Sequence, residues 1–292
     1  MSTTTLGFIG LGNMGGPIAG NLAAKGHDVL CFDASGTQQR AHPKATCAGS
    51  TANVAASAGT VFLSLPDGKA VASVLDEIIA APGRNTRLVV DTSTIGIEWA
   101  RNNAERARAA GVEYLDAPVS GGAIGARKGT IAVMCSGRTE TIDALRPVML
   151  DFGAHVFQVG TEPGQAQAMK VLNNFLSATA MVATAEAIAF GVQQGLDMKT
   201  MLDVINVSSG QNTASRDKFP QRVLTETYDA GFRVEQIHKD LSLYEQAAQA
   251  AGAAHPVSPA IIAMWRKLDA LDGKRDITQI YPFVRDRVYE DR

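Results

Sequence analysis

Short apolar runs alternate with stretches of helical periodicity through the first half of the chain. The runs TLGFIGL, DVLCFD, TVFLSLP, RLVVDTS, EYLDAPV, IAVMCSG and HVFQVG read as strands, and Ala-rich, helix-compatible segments lie between most of them. That alternation predicts βαβ units, and therefore a parallel sheet with helices on both faces. The pattern changes near Gly164. Beyond it no strand signal recurs, and long Ala-, Leu- and Gln-rich stretches are broken only at SSGQNTASRDKFP and AGAAHPVSP. The chain is thus expected to form an α/β domain over residues 1–163 and an all-α domain over residues 164–292. A final helix with a charged end is expected in YPFVRDRVYEDR.

The first of the later helices is unusual in its polarity. Between residues 164 and 195 only Lys170 and Glu186 are charged. Gln167, Lys170, Asn174, Ser177 and Met181 recur at steps of three and four, so four polar side chains form one narrow stripe, while Met169, Leu172, Phe175 and Leu176 occupy much of the remaining surface. A solvated helix face would carry more charge, so the stripe predicts a confined cleft. Desolvation there would lower the pKa of Lys170 toward the range of a general acid/base. From the helix pattern alone, a lysine that snorkels to the surface is the alternative.

Composition narrows the class. Hydrophobic residues are 46% of the 292, charged residues 19%, and the formal net charge is −2, which points away from nucleic acid or an anionic membrane surface as partner. Cys31, Cys47 and Cys135 have no paired spacing, and the five histidines stand at no ligand-like interval from them, so neither disulfide framework nor metal site is expected. The stretch MSTTTLGFIGLG has no basic region followed by an apolar one and reads as a cytoplasmic start. Residues 171–192 are apolar enough to raise the question of a membrane span, yet Asn173, Asn174, Thr179, Thr184 and Glu186 interrupt them, and a buried core helix is the expectation.

Two loops carry candidate chemistry. In FIGLGNMGG, Gly10, Gly12 and Gly15 form G-x-G-x-x-G between a strand and an amphipathic helix. In that setting the first glycine permits the turn, the second admits a pyrophosphate to the backbone, and the third allows close helix packing. The second strand ends in Asp33, 18 residues after Gly15. An acid at this place hydrogen-bonds the adenosine ribose and repels a 2′-phosphate, which favours NAD over NADP. The nearest arginine, Arg40, is seven residues on, and NADP stays open. In DAPVSGGAIGARKGT, Ser120, Gly121 and Gly122 offer a hydroxyl and open backbone N–H groups suited to a carboxylate, with a plain flexible loop as the alternative.

With these residues in view, the sequence resembles the β-hydroxyacid dehydrogenase family, of the 3-hydroxyisobutyrate dehydrogenase type. The signature is FIGLGNMGGPIAGNLAAKG, with Ile18 where methionine is usual, and the likeness continues in SLPDG, VVDTST, DAPVSGG, KVLNN and KDLSLY. The glycine-rich lead-in VGTEPGQAQAMK is one residue longer than the common form. The resemblance implies a Rossmann-type cofactor domain, a long inter-domain helix and an all-α C-terminal domain, with the active site in the cleft between them. It assigns the loop Gly10, Leu11, Gly12, Asn13, Met14 and Gly15 to the dinucleotide, together with Leu65, Pro66, Thr94 and Lys239. It makes Ser120, Gly121 and Gly122 the holders of the substrate acid group and Lys170 the catalytic lysine, with Asn174 orienting the substrate. The expected reaction is NAD(P)-dependent oxidation of a small β-hydroxyacid, or reduction of the matching semialdehyde.

Rival readings remain. The polar run NVSSGQNTASRDKF, which includes Ser208, Ser209, Gln211, Asn212, Thr213 and Arg216, could line an outer pocket for a more polar substrate such as glycerate or tartronate semialdehyde, serine or a sulfonated analogue, or be a solvated loop. A non-catalytic nucleotide-binding sensor is the alternative from another class. Imine reduction on the same fold is a third, disfavoured because that group usually replaces the lysine. Asp240 is read as an anchor for Lys239, and His238 as structural. Relatives of this kind imply a homodimer or homotetramer.

Overall fold

A computed structural model describes residues 5–290, so the start Met1 to Thr4 and the last two residues of the charged end lie outside the described residues. The chain divides into two compact units, Met1–Lys170 and Val171–Arg292.

The first unit is built on one sheet of nine strands: β1 (Leu6–Ile9), β2 (Val29–Phe32), β3 (Thr46–Cys47), β4 (Thr60–Leu63), β5 (Leu88–Asp91), β6 (Glu113–Asp116), β7 (Val119–Ser120), β8 (Ile131–Ser136) and β9 (Gly153–Gly160). Their order is β3-β2-β1-β4-β5-β6-β8-β7, with β9 paired to β8. All seven strands read from the sequence are present, and two-residue β3 and β7 are additional. The β3-to-β6 part is parallel, as expected, but β8 runs antiparallel to β6 and β7. The reason is the length of the connection. β7 begins three residues after β6 ends and keeps its direction, and the chain then turns back through residues 121–130 and the short α5 (Gly122–Lys128), fewer than the dozen or more residues that a parallel crossover needs.

Period-two alternation places two cores on the two faces of the sheet. Phe8, Phe62, Val90 and Leu115 stand side by side in register across β1, β4, β5 and β6 and share one cluster with Ile18, Leu22, Ile142 and Met149. Those helix residues come from α1 (Gly15–Ala24) and α6 (Thr139–Leu150). On the opposite face Leu63, Val61, Val89 and Tyr114 pack with α2 (Thr51–Ser57), α3 (Gly68–Ala80) and α4 (Ile97–Ala109) through Val54, Val71, Leu75 and Ala100. With both faces covered, the strands carry apolar residues at nearly every position, as in the runs quoted above.

Helix α7 (Gln165–Gln193) spans the division between the units. Within the second unit its Ala178, Met181, Val182, Ala185 and Ile188 join Trp265, Phe219, Tyr281 and Phe283 in a single core. The remaining helices are α8 (Met198–Ile205), a π-helical segment Ala214–Val223, α9 (Val234–Ala250), α10 (Ser258–Asp272) and α11 (Ile280–Arg285). Helix α7 is long and apolar enough to cross a membrane by length and composition, but 44% of its most apolar window is buried within the protein, and a core helix passes the same test.

Its polar stripe is buried, and several of its large apolar residues are exposed. The stripe residues Gln167, Lys170, Asn174 and Met181 are buried, while Leu172, Leu176 (62% exposed) and Phe190 (64% exposed) face outward. The stretch NVSSGQNTASRDKF is also not a loop throughout. The Asn212 side chain accepts hydrogen bonds from the N–H groups of Ala214 and Ser215, and helical structure starts at Ala214, so Arg216 lies in a helical turn.

Candidate active site

The three glycines of the first loop are required for three different reasons. Gly10 has φ +94°, and a Cβ there would collide with the Ser64 carbonyl. A Cβ on Gly15 would collide with the carbonyl of Gly10, so that glycine lets α1 approach β1. At Gly12 a Cβ would meet no protein atom within 4 Å. Packing explains Gly10 and Gly15, whereas at Gly12 the open space is what a closely approaching anion at the start of α1 needs. The loop therefore fits a dinucleotide by its own geometry.

Asp33, at the end of β2, ties this loop down: its Oδ2 accepts the Leu11 N–H at 2.6 Å and its Oδ1 the Ser35 N–H at 2.8 Å. Arg40, seven residues on, returns to Asp33, its Nε 4.0 Å from Oδ1. A groove of about 470 Å³ opens beside the loop and is lined by Leu11, Gly12, Asn13, Arg40, His42 and Arg127 among others. A separation of seven residues in the sequence does not keep Arg40 from Asp33.

The next strand ends are joined to one another. Leu65, after β4, donates its N–H to Ser93 Oγ at 2.9 Å, and Ser93 in turn donates its N–H to Asp91 Oδ1 at 2.9 Å. This brings the Leu65–Pro66 turn beside the loop bearing Thr94, both at the C-terminal edge of the sheet, where open α/β sheets bind ligands. Ser120 ends β7. Gly121 has φ +136°, with the Ile131 side chain 2.9 Å from where a Cβ would be, and Gly122, at φ +65°, starts α5 with open space on its Cα.

Gln167 and Lys170 sit one turn apart on α7. Gln167 is fully buried and uses all of its hydrogen-bonding capacity. Its Oε1 accepts the N–H groups of Ile95 and Gly96, and its Nε2 donates to the Ser93 carbonyl and to Asp116 Oδ1, the last at 2.6 Å. Lys170 is only 8% exposed, so it does not snorkel.

In the second unit the structure brings together Asn174, Lys239 and Asp240. Asn174 Nδ2 donates to Asp240 Oδ2 at 2.6 Å, and Lys239 Nζ lies 3.2 Å from Asp240 Oδ1. Asp240 therefore anchors both an asparagine and a lysine. His238 bonds Asp269 on α10 through Nδ1 at 2.7 Å, a structural contact between α9 and α10. In the polar run, Ser208 Oγ donates to the Val204 carbonyl and Gln211 Nε2 to that of Asn206, so these groups serve local backbone. Among the described residues no group of three His, Cys, Asp or Glu side chains is placed to hold a metal ion.

Sequence reading missed Asp116, which is fully buried at the end of β6 and in register with Asp91 at the end of β5. The available signal was the acid closing each of two apolar strands, LVVD and EYLD.

Two family descriptions cover nearly the whole chain: the NAD binding domain of 6-phosphogluconate dehydrogenase matches residues 5–160, and the NAD-binding domain of NADP-dependent 3-hydroxyisobutyrate dehydrogenase matches residues 164–284. A 3-hydroxyisobutyrate dehydrogenase of Pseudomonas aeruginosa is 38% identical, covering 94% of this chain and 93% of the relative. An NAD-dependent L-serine dehydrogenase of the same organism is 36% identical over 90% of this chain and 91% of its own. Among solved structures, that of Mycobacterium tuberculosis 3-hydroxyisobutyrate dehydrogenase with L-serine superposes with a TM-score of 0.86 at 32% identity, covering 97% of this chain and 99% of that one.

Proposed function

Because this chain belongs to the β-hydroxyacid dehydrogenase family, we propose that it oxidises a small β-hydroxyacid of the 3-hydroxyisobutyrate type, or reduces the matching semialdehyde, with Lys170 as general acid/base. That the chain is a nicotinamide-dependent hydroxyacid dehydrogenase follows from the family, and the sensor alternative is set aside. The observation that carries the role of Lys170 is its burial one turn beyond Gln167, on the polar stripe of an otherwise apolar helix.

The nicotinamide, when bound, supplies the hydride chemistry. The chain's residues orient the reactants and manage one proton. The Gly10-to-Gly15 loop and the Leu65, Pro66 and Thr94 loops cradle the cofactor, and the family likeness implies a cofactor contact for Lys239. The Ser120 hydroxyl and the N–H groups of Gly121 and Gly122 hold the substrate carboxylate. Lys170 takes the proton from the substrate hydroxyl during oxidation and returns it during reduction, and Asn174, one helical turn on, orients that hydroxyl or the acid group.

Asp33 favours NAD, since its carboxylate repels a 2′-phosphate. The approach of Arg40 to Asp33 supports a second reading in which NADP is also accepted. A more polar substrate, such as serine, glycerate or a sulfonated three-carbon acid, is supported by the likeness to the L-serine dehydrogenase. The outward apolar residues Leu176 and Phe190 of α7 offer a surface for a homodimer or homotetramer, which light scattering would test, a monomer overturning it.

The test of the central assignment is Lys170→Ala. Turnover should fall at least a thousandfold while NADH binding changes by less than twofold. Wild-type kcat in this variant would exclude Lys170 as the proton-transfer group.

A further inference from the structure

The first N–H groups of helix α7 are satisfied by side chains from the sheet: Asp116 Oδ2 accepts from Gly164 N and Gln167 N, each at 3.2 Å, and Ser136 Oγ accepts from Ala166 N at 3.0 Å. Ser136 Oγ also donates to Asp116 Oδ2 at 3.2 Å, and Gln167 Nε2 donates to Asp116 Oδ1. Four donors from three residues, on β8 and at the start of α7, thus converge on one carboxylate buried at a helix N-terminus, where its charge also meets the positive end of the helix dipole. Gln167 extends the network by accepting the N–H groups of Ile95 and Gly96, in the loop that bears Thr94. Lys170 lies on the same helix face, three residues after Gln167.

We propose that Asp116 is a positioning residue for the reaction: by anchoring the Gly164 and Gln167 N–H groups and the Gln167 side chain, it sets the seat of the first turns of α7, and so the placement of Lys170 against the Thr94 loop. This rests on the reading of Lys170 as the proton-transfer group. The residue type is the one the geometry demands. An ionised carboxylate is an acceptor only and matches four donors, whereas an amide or a protonated acid sets one donor against another.

The ionisation state therefore matters near neutrality. Burial pushes the Asp116 carboxyl up to about 7; hydrogen bonds from Gln167 oppose the rise, and the charge of Asp91 adds to it. The groups facing it are Asp91 on β5, Tyr114 on β6, whose hydroxyl donates to Asp91 Oδ2 at 2.6 Å, and Cys135 on β8, with Lys170 on α7 beyond Gln167. As pH falls through this range, protonation puts a hydroxyl donor among the four, the anchor loosens, and kcat falls.

The experiment is the pH profile of kcat for the wild type, Asp116→Asn, Ser136→Ala and Lys170→Ala, with NADH affinity measured alongside. Asp116→Asn should lower kcat tenfold to a hundredfold, leave the NADH dissociation constant within twofold, and abolish the acid limb of the profile. Ser136→Ala removes a donor that holds the Asp116 carboxyl down, so the acid limb should move to higher pH; this variant decides if Asp116→Asn does not fold. An unchanged profile in Ser136→Ala, or a loss of kcat in Asp116→Asn with the acid limb retained, would show a merely structural role and overturn the proposal. Lys170→Ala separates the two failures. An inactive Lys170→Ala with unaltered Asp116 and Ser136 profiles refutes only the positioning role, while an active Lys170→Ala removes the reading beneath it and the proposal with it.

Discussion

Asn174 and Asp240, 66 residues apart, are joined by a hydrogen bond of 2.6 Å in which both partners are buried, and the second oxygen of the same carboxylate faces Lys239. One acid thus orients two side chains for which the family likeness implies substrate and cofactor contacts. Asp240→Ala should destabilise the protein by about 1–3 kcal/mol, because the Asn174 amide loses this acceptor in a buried setting. Asp240→Asn should keep the fold, as its carbonyl oxygen can still accept from Asn174, yet weaken cofactor binding through the lost charge beside Lys239. Urea denaturation with NADH titration checks both, and equal stability of the alanine variant and the wild type would refute the anchoring role.

Gly12 and Gly15 should respond differently to the same methyl group. Gly15→Ala sets a Cβ against the Gly10 carbonyl and should lower the thermal midpoint by several degrees. Gly12→Ala meets no protein atom, so the fold should be kept while NADH affinity falls by at least tenfold. Thermal melts and fluorescence titration distinguish them. Unaltered NADH affinity in a folded Gly12→Ala would sink the pyrophosphate assignment.

Asp33 and Arg40 are the residues proposed above to bear on the cofactor balance. Asp33→Asn keeps an oxygen for the Leu11 N–H but removes the charge that repels a 2′-phosphate, so the ratio of kcat/KM with NADP to that with NAD should rise at least tenfold. Arg40→Ala should lower that ratio. If neither variant shifts it, discrimination lies elsewhere in the groove.

Asp116 also links stability to pH. Its folded pKa, about 7, lies above the ordinary carboxyl value, so between about 4 and 7 the folded chain binds more protons here than the unfolded one. The stability contributed by the protonated acid is fully present below about pH 4 and is lost as pH rises through 7. Compared with Asp116→Asn, the wild type should therefore lose stability between pH 4.5 and 8 by on the order of a few kcal/mol. Denaturant midpoints across that range test it, and a constant difference between the two proteins would refute the raised pKa. The same protonation that stabilises the fold is proposed above to lower turnover, so the two curves should run in opposite directions.

Much of this protein is determined by local sequence. Seven strands, the glycine loop with Asp33, the change to helices near Gly164 and the polar stripe on α7 are all legible, because side-chain periodicity and turn chemistry are short-range and leave their mark within a few residues. The tertiary structure alone decided what depends on residues far apart in the chain. The antiparallel course of β8 follows from a connection too short to cross over. The return of Arg40 to Asp33 follows from the path of the intervening turn. The burial of the polar stripe of α7, with Leu172 and Leu176 left outside, depends on what packs against each face. The anchoring of its N-terminus by Asp116 and Ser136, 51 residues before Gln167 and 30 before Ala166, depends on strands meeting at one edge of the sheet. In the sequence Asp116 and Ser136 are each a single acid or hydroxyl at the end of an apolar run, and only folding brings the donors that give them a purpose.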